Sequence, residues 1–292
     1  MQYIKKNPII IIDGSLYLYR SYYAFPDYIN TLGEPYGAIY GMLQMIYNIL
    51  KKYHNINKMI VVFDESKKTF RNDLFKDYKK NRSRMPNTLA IQIPPLLEIM
   101  KKIGVKTFSI PGVEADDIIG SLAHTLESTG ENVLIISNDK DMLQLVTKNI
   151  YIFQKNKNLL IKPNIIKDIY GINPKEFIDF LALMGDPSDN IPGVPKIGKK
   201  TALFLLHNFY NLKNIYNNIE KISTLSLRNS KNISIELKKN KDMAFLSYQL
   251  AKIKLNININ ITLQDMTIKN SYKKNLFYFL RLCNFNKNKF YL

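Results

Sequence analysis

Nine carboxylates stand where they could hold hard cations: Asp13, Asp64, Glu114, Asp116, Asp117, Asp139, Asp141, Asp186 and Asp189. Asp13 and Asp64 end the apolar runs PIIIID and MIVVFD, and Asp139 and Asp141 follow a third, NVLIIS. Acids directly after fully apolar runs are seldom decorative. Glu114, Asp116 and Asp117 fit the first turn of a helix equally well, since acids there favour the helix dipole. Asp186 and Asp189, within GDPSDN, also fit a plain turn. If the nine converge, they cannot all stay ionised unaided. Two like charges ~4 Å apart repel by roughly 4 kcal/mol at an effective dielectric near 20. The remedies are shared protons, basic partners or bound cations. An oxygen-only donor set selects Mg²⁺ or Mn²⁺ rather than zinc. The three histidines, His54, His124 and His207, are distant in sequence from these acids. A pair of such ions would serve phosphodiester hydrolysis; no Ser or Cys nucleophile has comparable support.

For that chemistry, the chain must deliver the acids to one place. The β-branched runs at 8–13, 58–64 and 132–137, with a weaker one at 105–110, predict buried strands. Apolar residues at three- and four-residue spacing predict helices over 37–53 and 115–129, the second stopped by Gly130. This alternation predicts an α/β fold with a mostly parallel central sheet and flanking helices, whose ligand crevice lies beyond the carboxyl ends of the strands. From about residue 163 the pattern turns helical, at 163–170, 174–184 and 198–208 and then in shorter pieces to 253, with a Pro/Gly-rich junction at 185–198. Two parts are expected: an α/β part over 1–165 carrying the acids, and a helical part over 166–292.

The bulk numbers agree with a nucleic-acid partner without proving one. Among 292 residues, 42 Lys+Arg face 24 Asp+Glu, a net charge of +18, which points to a polyanion. Only six of the 42 are Arg, and Asn and Ile are abundant, as in NININI at 256–261. That triad fits an AT-rich genome, so part of the excess is mutational drift and the motifs carry the argument. The single cysteine, Cys283, reads as a small apolar core residue and allows no internal disulfide, which fits the cytoplasm. No segment approaches the roughly 20 apolar residues of a membrane span, and the N-terminal run is too short for a signal sequence.

The motifs DGSLYLYR (13–20), VVFD (61–64), GVEADD (112–117), NDKD (138–141) and LMGDPSDNIPGVPKIGKKT (183–201) together resemble the flap endonuclease family, in particular the 5′→3′ exonuclease domains of bacterial DNA polymerase I. The likeness runs from about residue 8 to 290. It implies that Asp13, Asp64, Glu114, Asp116 and Asp117 form a tighter metal cluster, and Asp139, Asp141, Asp186 and Asp189 a second, with two Mg²⁺ (or Mn²⁺) per site. It also implies a helical arch over the site within about 65–95, here Phe70–Pro86. Lys79 and Arg82 match residues that contact the scissile phosphate, and Arg20 a neighbouring one. Read from its own residues, the arch is a basic stretch in which Arg71, Lys80 and Arg84 can meet phosphates and Tyr78 can stack on a base. A solvated helix face explains the same charges. Gly193, Val194, Ile197, Gly198, Lys199, Lys200 and Thr201 resemble a helix–turn–helix hairpin (190–208) that grips the DNA backbone, often with a K⁺ ion; an ordinary interhelical turn is the plain alternative.

The resemblance implies cleavage of double-stranded DNA with a 5′ end or flap, in RNA-primer removal and repair; a separate DNA polymerase is the expected partner, and a monomer is the default expectation. The chain stops at residue 292, where the bacterial polymerase would continue, so a nuclease part alone is expected. Asn138 stands where a Gly is common, and Tyr23 where a His is common. Two other readings remain open: a PIN-type ribonuclease, and a non-catalytic DNA-binding module.

Overall fold

The apolar runs become one six-stranded sheet: β1 (Ile9–Asp13), β2 (Met59–Val62), β3 (Lys106–Phe108), β4 (Val133–Ile136), β5 (Ile150–Gln154) and β6 (Leu159–Ile161). The computed structural model describes residues 7–30, 32–53, 56–65, 67–269 and 272–282; His54 and Cys283 lie outside them. The strand order is β3-β2-β1-β4-β5-β6. All neighbours run parallel except β6, which is antiparallel to β5. Asp13 pairs with Val62, and Ile12 with Ile136, so the carboxyl ends of β1, β2 and β4 finish level.

Alternation along the strands divides the core in two. Ile9, Ile11, Ile60, Val62, Val133 and Ile135 pack on one face with Ile118, Ile119 and Leu122. Ile10, Ile12, Met59, Val61, Leu134 and Ile136 pack on the other with Leu43, Ile46 and Leu96. Each such side chain contributes roughly 1.5–3 kcal/mol by burial, which is why the sheet is the rigid part of the molecule.

The helices are α1 (Gly14–Ala24), α2 (Gly37–Lys52), α3 (Phe70–Leu74), α4 (Asn87–Ala90), α5 (Ile93–Ile103), α6 (Ala115–Ser128), α7 (Pro163–Tyr170), α8 (Phe177–Met184), α9 (Lys199–Phe209), α10 (Leu212–Asn217), α11 (Ile219–Ile222), α12 (Ser230–Lys239), α13 (Lys241–Ala251) and α14 (Tyr272–Leu282). The parallel sheet and the helical run after residue 163 match the sequence reading. That reading placed no helix at α1 or α5 and no strand at β5 or β6. Among the described residues, no helix is long and apolar enough to cross a membrane.

The segment 70–86 is not the continuous helix that the word arch suggests. Only α3 is helical there, and turns follow over 76–82. Asn72 Oδ1 takes the Thr69 amide, and the Lys79 amide bonds the Asp189 carbonyl at 2.9 Å. Lys79 sits at φ 55°. Side-chain-to-backbone bonds of this kind compete with helix propagation.

Asp179, in α8, accepts the Leu212 amide at 2.8 Å and so ties α8 to the start of α10. Burial pushes its pKa up from 3.8 to about 6, against the pull of the Leu212 amide, with Glu176 adding to the rise. The folded state therefore binds this proton more tightly than the unfolded chain does. Its stabilising contribution is fully present below pH ~4 and lost as pH rises through about 6. Asp179→Asn keeps the accepting oxygen and removes the charge. Chemical denaturation should show it more stable than the parent by up to about 3 kcal/mol at pH 7.5, and no more stable at pH 3.5.

Candidate active site

The carboxyl ends of β1, β2 and β4 each hand an acid to the same crevice. Asp13 closes β1 and caps α1: Oδ1 accepts the Leu16 amide at 3.0 Å and Oδ2 the Ser137 hydroxyl at 2.8 Å. Asp64, just past β2, accepts the Ala115 amide at 2.8 Å and so fixes where α6 begins. Asp139 follows β4 and accepts the Asp141 amide at 2.9 Å. Asp186 and Asp189 come from the loop after α8, which folds back through the Asp186–Ile191 pair. Asp141, Asp186 and Asp189 each present an oxygen, and the three oxygens lie within 4.8 Å of one another. All three residues are buried.

These carboxylates repel one another. Burial pushes Asp13 up to about 7, with Asp139 and Asp64 adding to the rise. Asp116 is raised well above the usual carboxylate range by burial and then by Asp139, Asp13 and Asp64. Asp141 is raised likewise by burial, Asp139, Asp186 and Asp189. Asp139 is raised too, by burial first. Asp13, Asp64, Asp116, Asp139, Asp141, Asp186 and Asp189 therefore share one electrostatic field.

Basic side chains offset part of it. Lys79 Nζ lies 2.6 Å from Glu114 Oε2 and 3.6 Å from Asp189 Oδ2. Arg82 pairs with Asp189. Lys140 Nζ lies 2.7 Å from Asp186 Oδ1. Burial works against the Lys79 ammonium, but Glu114, Tyr78 and Asp189 raise its pKa above the ordinary lysine value. The sequence reading gives Lys140 no role, although a lysine between two acids in one short turn is a usable signal. Ser137 and Thr69, which donate to Asp13 and Glu114, carry no such signal.

The residues present fit a hard divalent cation. The donors are all oxygens, and Asp141 Oδ1 is buried without a hydrogen-bond partner among the described residues. A buried carboxylate oxygen in that state is costly unless a cation meets it.

Several residues stand elsewhere than expected. Asp117 is not turned to the cluster: its two oxygens accept Arg71 Nη1 at 2.7 Å and Nη2 at 2.8 Å, and Oδ1 also takes the Lys254 amide. Arg71, read as a phosphate contact, is 2% exposed and also donates to the Leu250 and Lys252 carbonyls. It ties the root of the arch to α6 and to the end of α13. Breaking a buried pair from one side leaves an uncompensated charge, so Arg71→Ala should lose about 3 kcal/mol or more of stability in urea unfolding. Tyr78, read as a base-stacking ring, is 5% exposed and packs in the core, its hydroxyl 3.0 Å from Glu114 Oε2. Glu114 itself is saturated by Lys79, Tyr78 and Thr69. The compact triad thus lies in the second expected cluster, because basic and hydroxyl partners occupy Glu114 and Asp117 of the first.

Arg20 and Lys80 are exposed, Lys80 pairing with Asp77. A cavity of about 770 Å³ opens under the arch, lined by Asp64, Glu114, Lys79 and Arg82 on one side and by Leu18 and Met85 among its apolar residues. Lys79 and Arg82 thus face both the acids and this space.

The hairpin residues divide between core and surface. Gly193 has φ 64°, and a Cβ there would come within 2.4 Å of the Gly185 nitrogen. Its close approach is to the chain itself, with its amide on Ser247 Oγ at 3.0 Å. Val194 and Ile197 are each 3% exposed, so their side chains belong to the core. Gly198 caps α9 with open space at its Cβ position, and Lys199 and Lys200 are exposed beside it. The first-turn amides of α9, including that of Thr201, cannot be satisfied within the helix, which suits an anion.

Two family models cover most of the chain: "5′-3′ exonuclease, N-terminal resolvase-like domain" matches residues 8–171, and "5′-3′ exonuclease, C-terminal SAM fold" matches 172–274. The chain belongs to the 5′-3′ exonuclease family. A 5′-3′ exonuclease of Buchnera aphidicola subsp. Acyrthosiphon pisum is 66% identical over 95% of this chain and 97% of its own length. DNA polymerase I of Pseudomonas aeruginosa is 40% identical over 90% of this chain but only 29% of that polymerase. Among solved structures, the T5 D15 protein co-crystallised with metal ions superposes at a TM-score of 0.70 with 22% identity, covering 95% of this chain and all of that one. The catalytic core of Rad2 in complex with DNA substrate superposes at 0.63 with 18% identity, covering 94% and 87%. At such identities the superpositions establish the fold. The protein is therefore a nuclease of the 5′-3′ exonuclease family, with an acidic centre suited to metal.

Proposed function

We propose that the protein hydrolyses phosphodiesters of double-stranded DNA at or near a 5′ end or 5′ flap, using two Mg²⁺ or Mn²⁺ ions. The observation that supports this reading best is the buried Asp141–Asp186–Asp189 triad, set at the carboxyl edge of the sheet and faced by arch cations. That triad would hold one cation; Asp13, Asp64, Asp116 and Asp139 would hold the other. When bound, such ions activate the attacking water and offset charge on the leaving oxygen. The chain's own part is positional. Lys79 and Arg82 stand between the acids and the cavity, where they can neutralise charge developing on a phosphate. Arg20, which is exposed, would meet the neighbouring phosphate. Gly198, Lys199, Lys200 and Thr201 hold the duplex backbone, and a K⁺ ion at this loop belongs to the same reading. Contacts to backbone rather than to bases give weak sequence preference and steep salt dependence.

On this reading, residues 1–165 cut and 166–292 grip. The physiological work is Okazaki-fragment primer removal, on RNA primer–DNA hybrids as well as DNA, and repair, in the cytoplasm, by a monomer beside a separate DNA polymerase. The deciding comparison sets a 5′-flapped DNA duplex against single-stranded RNA under the same magnesium. The flap duplex should be cut faster by orders of magnitude; preference for the RNA would replace this proposal with a ribonuclease.

A further inference from the structure

Beyond the hairpin lies a second basic cleft. A cavity of about 570 Å³ separates α9 from α12 and is lined by Lys196, Lys200, Thr201, Arg228, Asn232 and Glu236, among others. Its chemistry is one-sided: three cations, side-chain amides and a hydroxyl face a single carboxylate, Glu236. That carboxylate is already engaged, with Lys196 Nζ 2.6 Å from Glu236 Oε1, and the Lys196 ammonium holds the Glu236 carboxyl below its ordinary range. Arg228 and Lys200 are exposed, and no described carboxylate pairs with either. The floor is apolar and rigid: Ile233 is buried, and Phe204 and Leu227 complete it. The Lys196–Glu236 pair links the hairpin loop to α12 at the surface, the Lys196 side chain being 72% exposed, and a pair so exposed adds little to stability.

Arg228 and Lys200 stand on one concave wall without a described carboxylate partner, and such a wall concentrates positive potential and attracts an anion. The cleft adjoins Lys200 and Thr201 of the hairpin, so one rigid anionic strand passing the hairpin would run along it. We propose that this cleft is a second backbone-phosphate clamp, in which Arg228 and Asn232 hold the duplex beyond the stretch gripped at 198–201. The occupant is double-stranded DNA, and the ligand chemistry is a phosphodiester oxyanion. Arg suits that role through its planar fork of donors. Glu236 acts as a brake: by holding Lys196 it withholds one cation from the phosphates. This site rests on the proposed DNA-cleaving function, which it extends in length of footprint.

The test measures binding of the full chain in chelator to 5′-flapped duplexes shortened stepwise from the end away from the flap. With the longest duplex, Arg228→Ala should weaken binding roughly fivefold and lower the slope of log affinity against log salt by about 0.9, one phosphate contact. Glu236→Gln, which frees Lys196, should tighten binding and steepen the slope. Both effects should vanish as the duplex becomes too short to pass the cleft. An unchanged slope for Arg228→Ala on the longest duplex overturns the clamp, as does a loss equal on short and long duplexes. Inorganic phosphate bound by the parent but not by Arg228→Ala, with DNA binding unaltered, reassigns the cleft to a free anion and also overturns it. Circular dichroism of both variants should match the parent, since Arg228 is exposed and the partner that Glu236→Gln loses is an exposed lysine. A parent protein that binds no flap duplex would instead sink the proposed function itself.

Discussion

Asp139→Asn combined with Asp141→Asn should abolish cleavage, by roughly 10⁴-fold or more, while duplex binding stays the same or tightens. The two acids stand where the charge is most crowded: burial, Asp186 and Asp189 all push Asp141 up, and burial raises Asp139. Cation donors in a phosphodiester hydrolase supply several kcal/mol of charge stabilisation, and each 1.4 kcal/mol is about tenfold in rate. A carboxamide at position 139 keeps the oxygen that accepts the backbone amide of residue 141, so the loop has no reason to rearrange. Removing two negative charges also removes repulsion against incoming phosphates, which is why binding should not fall. Thermal melting without divalent ions should rise, since buried carboxylates with raised pKa destabilise the fold at neutral pH. Single-turnover cleavage and fluorescence anisotropy on one flap duplex decide the matter. Lost binding with unchanged cleavage would contradict a metal role for these acids.

Lys79→Ala should slow the chemical step by roughly 10²–10³-fold and weaken binding far less. Lys79 is an arch residue whose ammonium is already inside the acid cluster, 2.6 Å from Glu114, and on the wall of the under-arch cavity. A cation held there is pre-organised for a phosphate that enters the cavity, and it acts most strongly when charge develops. Lys79→Met keeps most of the stem and separates lost packing from lost charge, and it should be nearly as slow as the alanine variant. The residue sits at φ 55°, a left-handed conformation that a side chain rarely adopts, and its ammonium is held inward by Glu114 and Asp189. If single-turnover rates hold while affinity drops, Lys79 is a phosphate tether and nothing more.

The sequence carried the acids better than it carried their partners. Runs such as PIIIID show a buried strand and its terminal acid in one glance, because burial on both faces leaves no polar interruption. The strand ends then finish level by register, which is why Asp13, Asp64 and Asp139 meet. Arg71 and Tyr78 misled for the opposite reason. A basic and aromatic stretch reads as a DNA-facing surface, but their side chains point inward to Asp117 and Glu114, residues 46 and 36 positions away. Such pairing is tertiary and leaves no local trace. The β5–β6 hairpin, IYIFQ–KNK–NLLI, was legible in principle, since β-branched and aromatic residues flank a polar turn. Its Lys- and Asn-rich turn merged with a composition that is biased along the whole chain. Helix α1 was hidden by its tyrosines, which are middling helix formers and of which only Tyr17 is buried.

The most direct test is digestion of an end-labelled 5′-flap duplex titrated with magnesium, with products sized and a chelator arm. Cutting should rise from nothing with added magnesium, release fragments from the 5′ side, and stop on chelation. Cutting that continues unchanged in excess chelator would contradict a hydrolytic centre built from Asp13, Asp64, Asp116, Asp139, Asp141, Asp186 and Asp189.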